Sequence, residues 1–368
     1  MNHWAIIPLF IAGALLLFRW LEKKDCDGGS WMKIIVFEIE DWERETFQSM
    51  QAEHQIEFVA GPLTHKNAEA YSDAEALSPF IYSDLSADVL RHIGRLKLIA
   101  TRSTGFDHID LEYCGANNIT VCNVPVYGDN TVAEHVFALL LAISHKMIAA
   151  VDRTRRGDFS LKGLQGFDLF GKTLGVIGTG SIGKCVIEIA KGFRMEILAS
   201  DLYPDEEMAS RLGFRYVDMD ELLASSDIIT LHVPSNKKTR NLISDEEFAR
   251  MKQGVVLINT ARGDVLDIKA LAKAIGEGKV AAAGLDVLPE EGGIREEAEL
   301  LRSVYDKKHD LETMLLNHIL LRLRNVVITP HSAFNTREAV ERILSTTVGN
   351  IVSFTGGEPE NVISAKRT

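Results

Sequence analysis

One stretch limits what this chain can fold into more than any other. Leu174-Gly-Val-Ile177 is a short apolar run, and Gly178-Thr-Gly180-Ser-Ile-Gly183 follows it directly. Ile182, Val186, Ile189 and Ala190 then share one face of a helix. Strand, glycine turn and helix, in that order, make the opening of a βαβ unit. The first glycine forms the tight turn, and the second lets a pyrophosphate approach the backbone, where the helix N-terminus stabilises it. Alone the hexapeptide would be weak evidence. In this context, with Asp201 ending the next strand-like run 18 residues after Gly183, it is strong. Gly178, Gly180, Ser181, Ile182, Gly183 and Asp201 are therefore the candidate dinucleotide contacts. A carboxylate at Asp201 accepts hydrogen bonds from the adenosine ribose and repels a 2′-phosphate. Leu202-Tyr203-Pro204-Asp205 offers no cation to host one, so NAD is expected over NADP.

A triphosphate loop is the competing reading, because Gly178-x-x-x-x-Gly183-Lys184 matches most of a Walker A motif. That motif needs a Ser or Thr hydroxyl next, to ligate magnesium, and the residue here is Cys185. A thiol is a poor magnesium ligand. The dinucleotide reading stands.

At 368 residues the chain has length for two domains, and its 46% hydrophobic and 25% charged residues exclude global disorder. A net charge of −12 leaves no electrostatic footprint for duplex DNA, so nucleic acid is not an expected partner. Cys26, Cys114, Cys122 and Cys185 form no C-x-x-C pair. That argues against a disulfide scaffold or a metal site and fits a reducing compartment. Between Asn2 and Phe18 no side chain is formally charged, which is short for a membrane span of about 17–25 residues. Arg19, Lys23 and Lys24 follow the apolar run and would hold the rest of the chain on the cytoplasmic side. Residues 1–31 thus read either as a membrane contact or as an extension upstream of Met32, which begins a plausible first strand. Either way the main body is expected in the cytoplasm.

From Met32 onward strands and helices alternate. Strands are expected over 33–38, 56–59 and 98–101, with a helix over 85–93. A long, nearly all-apolar helix is expected over 131–146, opened by Thr131-x-x-Glu134 at capping-box spacing. A second set of units runs from 173 to 285, with Asp218-x-x-Glu221 and Ser244-x-x-Glu247 as further helix starts. Residues 292–324 break the rhythm and read as an insertion before a last strand at 326–329 and a closing helix over 336–354. The implied fold class is α/β, with parallel sheets covered by helices on both faces.

Three strand ends after the phosphate loop carry unusual polar residues: Asn259-Thr-Ala-Arg262-Gly, Gly284-Leu-Asp286-Val-Leu-Pro-Glu-Glu291, and Thr329-Pro-His331-Ser-Ala-Phe334. Singly, Arg262 reads as a surface ion-pair partner, Glu291 as a solvated acid and His331 as a cap. Together, beside a dinucleotide loop, an Arg, an acid and a His at strand ends suit hydride chemistry. With Leu231-His232-Val233-Pro234, these motifs resemble the D-isomer-specific 2-hydroxyacid dehydrogenases, from Met32 to about Ile363. Asn123-Val-Pro-Val-Tyr127, the Thr104-Gly105 turn and Phe334 are most similar to the D-lactate dehydrogenase branch.

The resemblance implies two doubly wound parallel-sheet domains. A Rossmann NAD-binding domain, residues 129–331, would be inserted into a flavodoxin-like substrate domain, residues 32–128 and 332–368. It implies a catalytic triad of Arg262, Glu291 (taken over its neighbour Glu290) and His331. Arg262 would grip the 2-oxo acid, His331 would supply the proton, and Glu291 would hold the histidine's tautomer. His232, Val233, Pro234, Thr260 and Ala261 would lie beside the nicotinamide, with Asp286 on its carboxamide. Backbone N–H groups near Thr104 and Gly105 would hold the substrate carboxylate, and Tyr127 and Phe334 would bound its pocket. A cleft closing between the domains and a homodimer through the cofactor domain complete the expectation. Pyruvate/D-lactate interconversion is the leading activity. Hydroxypyruvate, glycerate or phosphoglycerate chemistry, or a non-catalytic NAD-sensing module, are the alternatives.

Overall fold

Twelve strands, β1 to β12, are found in the computed structural model, which describes residues 31–289 and 311–363. The apolar segment of residues 1–30, Glu290 and Glu291 lie outside the described residues. The strands fall in two sheets, and the chain divides into two units. One comprises the residues through Tyr127 together with those from Glu341, and the other is Gly128–Val340.

In the first unit β1 (Lys33–Phe37), β2 (Gln55–Val59), β3 (Ala76–Ser78), β4 (Leu98–Ala100) and β5 (Thr120–Cys122) are ordered β2-β1-β3-β4-β5. Every pairing is parallel, which gives the flavodoxin-like arrangement. Strands covered on both faces read as unbroken apolar runs, and Ile34 to Phe37 are all buried. The helix expected over 85–93 is shorter, Ala87–Leu90. Leu85 is drawn instead into a bridge with Ile109, where its side chain enters the core. β3 (Ala-Leu-Ser) and β5 (Thr-Val-Cys), with one large aliphatic residue each, were not among the strands expected, whereas β4 (Leu-Ile-Ala), equally short, was.

The second unit holds β6 (Thr173–Ile177), β7 (Glu196–Ser200), β8 (Arg215–Tyr216), β9 (Ile228–Leu231), β10 (Val255–Asn259), β11 (Val280–Leu285) and β12 (Val326–Ile328). Their order is β12-β11-β10-β9-β6-β7-β8, again all parallel, a Rossmann sheet with one strand added at its edge. Asp218 caps the helix Met219–Ser225 by accepting from the Glu221 N–H, and Ser244 with Glu247 forms the expected capping box. The Thr131 capping box does not form. The long helix starts two residues earlier, at Asp129 after Gly128, and runs to Ser144. Thr131 is buried inside its first turn, and Glu134 instead accepts from Asn130. Val136, Phe137, Leu139, Leu140 and Ile143 of this helix pack into the core with β6, β10 and the helix Ser181–Gly192. No single helix among the described residues is long and apolar enough to cross a membrane.

A buried ionic cluster sits at the end of β1 in the first unit. Arg102, 2% exposed, donates to the carbonyls of Phe37 and Glu38 and pairs with Glu43 at 3.2 Å. Glu38, in the left-handed region at φ 53°, accepts from the Ser83 hydroxyl at 2.9 Å. Burial pushes the Glu38 carboxyl above its ordinary value, and the Ser83 hydroxyl, the Tyr82 and Phe80 amides and the Arg102 charge offset this only in part. The folded chain then holds this proton more tightly than the unfolded chain, whose value lies near 4.5. Glu38 therefore weakens folding as pH rises from there through the raised value. Glu38→Gln keeps the acceptor for Ser83 and removes the titration. In urea unfolding it should exceed the wild type at pH 7.5, with the gap narrowing toward pH 4. An equal gap at both pH values would place the gain elsewhere.

Candidate active site

Parallel strands deliver their following loops to one edge of a sheet, and the second unit places six candidate groups along that edge in strand order. They are His331 after β12, Asp286 after β11, Arg262 after β10, His232 after β9, the phosphate loop after β6 and Asp201 after β7. The span is five inter-strand steps, roughly 24 Å at about 4.8 Å each, enough for an extended dinucleotide. The strand order reverses between β9 and β6, so the phosphate loop stands at the topological switch point.

The loop has the local form its sequence requires. Gly178 turns at φ 94°, and a Cβ on Gly183 would lie 2.1 Å from the Gly178 carbonyl oxygen, so only glycine permits this contact. Gly180 is the N-cap of the helix Ser181–Gly192, and a Cβ there would meet nothing within 4 Å. That open side, over a helix N-terminus, is where a diphosphate fits. Asp201 borders it: its carboxylate accepts from the Thr179 N–H at 2.6 Å, the Thr179 hydroxyl at 3.0 Å and the Tyr203 N–H at 2.9 Å. Burial raises the Asp201 pKa, but these donors outweigh it and hold the carboxyl below its usual range. Leu202 and Tyr203 stand exposed beside it.

Two buried polar atoms further along the edge lack a hydrogen-bond partner among the described residues: His232 Nδ1 and Thr260 Oγ1. Buried polar atoms are rarely left so. Polar groups of a dinucleotide are of the right chemistry to meet them. Burial pushes the His232 imidazole down to about 3, so the ring is neutral near pH 7, with Nε2 paired to Thr230 at 2.9 Å. Val233, Pro234 and Ala261 continue the same strand ends. Asn259 is fully buried and ties its loop, accepting from the Ala261 N–H and donating to the Arg262 carbonyl. Arg262 leaves that loop half-buried, one guanidinium N–H on the Ala261 carbonyl.

Asp286 is the most heavily engaged group of the site. Only 1% exposed, it accepts at Oδ1 from the Thr329 hydroxyl at 2.5 Å and the Ser332 N–H at 2.9 Å, and at Oδ2 from the Ala333 N–H at 2.9 Å. Its own carbonyl accepts from the His331 N–H, and its N–H donates to the Asn259 carbonyl, both at 2.9 Å. The residues of β10, β11 and β12 that carry the candidate chemistry are thus tied in series. Burial raises the Asp286 pKa, but His135, Thr329 and the two amides outweigh it and hold the group ionised. His331 adopts φ 53°, a left-handed conformation, and Phe334 follows it half-buried.

His135 was not among the residues singled out from the sequence. It sits on the helix Asp129–Ser144, with Nε2 3.0 Å from Thr329 Oγ1 and 3.4 Å from Asp286 Oδ1. The available signal was slight: a polar ring standing between Glu134 and the apolar run 136–143. In the first unit Thr104 and Gly105 form a loop whose oxygens are committed. Thr104 Oγ1 donates to the Val124 carbonyl, the Thr104 carbonyl accepts from Asn123, and the Gly105 carbonyl accepts from Ser103. Tyr127 lies at that unit's boundary, and its carbonyl accepts from Arg342. Glu291 lies outside the described residues, and no metal-binding group is found among those described.

Residues 137–333 match the family described as D-isomer specific 2-hydroxyacid dehydrogenase, NAD binding domain. The D-lactate dehydrogenase of Escherichia coli K12 is 35% identical over 331 residues, 89% of this chain and 98% of that protein. The chain belongs to the D-isomer-specific 2-hydroxyacid dehydrogenases. It is an NAD-dependent oxidoreductase acting on a CH–OH group. A glycerate dehydrogenase of Methylorubrum extorquens is also 35% identical, over 76% of this chain and 83% of its own length. Among solved structures, the D-lactate dehydrogenase of Aquifex aeolicus in complex with NAD and lactic acid superposes with a TM-score of 0.78 at 36% identity, covering 88% of this chain and 96% of that one.

Asp201 should set cofactor choice. Asp201→Ala removes the ribose acceptor and the charge that repels phosphate. The ratio of kcat/KM for NADH over NADPH should fall about tenfold or more, the scale of a charge-assisted hydrogen bond. A wild type that already prefers NADPH would overturn this reading of Asp201.

Proposed function

We propose that this dehydrogenase interconverts pyruvate and D-lactate, or a 2-oxo acid of similar size. The observation that carries the reading is the placement of Arg262 after β10 and His331 after β12, with Asp286 after β11 hydrogen-bonded to the backbone on both sides. Relatives named D-lactate dehydrogenase, at about the same identity as the glycerate enzyme, support the choice of substrate class. NADH, when bound, supplies the hydride. Arg262 engages the substrate carboxylate and carbonyl through its planar fork, which orients the carbonyl carbon. His331 donates the proton to the developing alkoxide and, in the oxidative direction, takes it back. Glu291 is the proposed partner of the far ring nitrogen, keeping the imidazole in the donating state. Thr104, Gly105, Tyr127 and Phe334 remain the proposed substrate contacts. The unassigned N–H groups of Thr104 and Gly105 suit a carboxylate. Asp286 Oδ2, which accepts one bond among the described residues, keeps a lone pair for the carboxamide.

Arg262→Gln and His331→Gln should each lower kcat for pyruvate reduction by at least about a hundredfold, the scale of a lost acid–base or oriented-charge contribution. NADH affinity, read by fluorescence, should stay near that of the wild type. Near-normal turnover in either folded variant would remove that residue from the chemistry. A panel of pyruvate, hydroxypyruvate, glyoxylate and longer 2-oxo acids decides between the lactate and glycerate readings.

A homodimer through the cofactor domain is the expectation from the resemblance, and the apolar helix Asp129–Ser144 packs largely into its own unit's core. A run of exposed apolar side chains follows it in sequence: Met147, Ile148, Val151, Phe159, Leu161 and Phe170. In the same unit an open cleft of about 1280 Å³ is lined by Lys146, Ile148, Arg153, Phe167 and Val326 among others. We infer a homodimer in which this segment of each copy fills the cleft of the other, an isologous contact. Phe159→Asp with Leu161→Asp should shift the mass by light scattering from dimer to monomer at micromolar concentration. A wild-type monomer would defeat the inference.

A further inference from the structure

We propose that His135 is a positioning residue for the reaction: with Thr329 it clamps the Asp286 carboxylate, and Asp286 in turn fixes the backbone that presents His331. The inference rests on the functional reading above, but its geometry lies wholly within the second unit.

The direction of each hydrogen bond can be worked out. Asp286 is ionised and accepts only, so the Thr329 hydroxyl, 2.5 Å away, gives it its hydrogen. Thr329 Oγ1 is then left with lone pairs, and the neighbour that faces them is His135 Nε2 at 3.0 Å. Nε2 must carry a hydrogen, and the same N–H also faces Asp286 Oδ1 at 3.4 Å. His135 thus completes the donor set on one carboxylate oxygen, together with Thr329 and the Ser332 amide. The N–H groups of His331, Ser332 and Ala333, three in succession, all end on Asp286. Such a run of successive amides turned onto one residue, the first on its carbonyl and the next two on its carboxylate, forms a nest, which needs a left-handed residue within it. His331, at φ 53°, is that residue. If the carboxylate swings, the nest opens, and the backbone holding the imidazole loses its anchor.

Why a histidine does this is also physical. Val136, Phe137 and Leu139, which adjoin His135 on the helix Asp129–Ser144, are packed in the apolar core, so a group reaching from among them to Asp286 must carry a donor at the tip of a flat, packable ring. His135 has its side chain 20% exposed, against 1% for Asp286, so it closes the solvent side of the buried carboxylate.

Four variants of the full chain test this: His135→Ala, His135→Phe, His135→Gln and Thr329→Val. Two readouts are needed, kcat and KM for pyruvate reduction, and hydrogen exchange of the segment holding Ser332 and Ala333 in the protein without substrate. For His135→Ala and His135→Phe we expect kcat to drop about tenfold or more, toward the hundredfold that misplacing a group by an ångström costs. The KM for NADH should stay within about threefold, since the phosphate loop and Asp201 supply separate contacts. Exchange at Ser332 and Ala333 should quicken. His135→Gln, which keeps a donor, should recover most of both, and Thr329→Val should reproduce the loss. Unchanged exchange and kcat in the alanine and phenylalanine variants would overturn the proposal. So would loss in every variant with no recovery by glutamine, because that pattern marks a packing role. If His135→Ala does not fold, the glutamine and valine variants decide by the same two readouts. A wild type inert toward every 2-oxo acid would sink the functional reading alone, because the exchange measurement needs no turnover.

Discussion

Asp286 is the point on which the site turns. A buried carboxylate survives only when its charge is met by donors, and here five converge on the residue: two side chains from His135 and Thr329 and three consecutive amides on its carboxylate and carbonyl. Through its own N–H it is also bound to Asn259, so the loop carrying Arg262 is tied to the same residue. The two chemical groups arise 69 residues apart in sequence, at Arg262 and His331, yet hang from neighbours in one hydrogen-bonded series. The parallel sheet makes this possible, because every strand ends at the same edge.

Asp286 and the largely enclosed Glu38 show what such donors accomplish. Asp286 in the second unit is held below its ordinary pKa, despite burial, by hydroxyl, imidazole and amide donors. Glu38 in the first unit has Arg102 and Ser83 nearby, but one of its oxygens has no partner, and burial carries its pKa upward. The difference lies in completeness rather than depth. A fully met charge gives a rigid support for a catalytic loop, whereas an incompletely met one is a cost the fold carries.

How far this was legible in the sequence depended on distance along the chain. The phosphate loop reads well because strand, glycines, helix and Asp201 fall within about thirty residues, and each residue type has a local reason. Arg262 and His331 read as polar residues at apolar strand ends. The strands β3 (Ala-Leu-Ser) and β5 (Thr-Val-Cys) were missed because each has a single large aliphatic residue, whereas β4 and β12, equally short, have two and three. The helix start was misplaced because Thr131 has the right side chain for a cap but sits on the face the core requires. His135 was missed for a different reason. Its partners lie 151 and 194 residues away, and within its own helix it is one of several polar side chains, next to Glu134. The long helix reads as nearly all apolar because it is buried on more than one side. A stripe too wide for one face signals burial on several sides as readily as a partner, and the sheet and the helix Ser181–Gly192 supply those sides.

The left-handed backbone at His331 follows from the same arrangement. A non-glycine residue there costs on the order of 1–2 kcal/mol, and nothing local to Thr329-Pro330-His331 requires it. What requires it is the nest: only with this residue turned can the next two amides point back at Asp286. Each amide held by a charged acceptor contributes about 1.5–3 kcal/mol, so the nest more than offsets the strain. The turn therefore persists because Asp286 holds it, and Asp286 stays ionised because the turn, Thr329 and His135 hold it. Neither half is stable without the other, which makes the position of the imidazole a property of the whole cluster rather than of the loop that carries it.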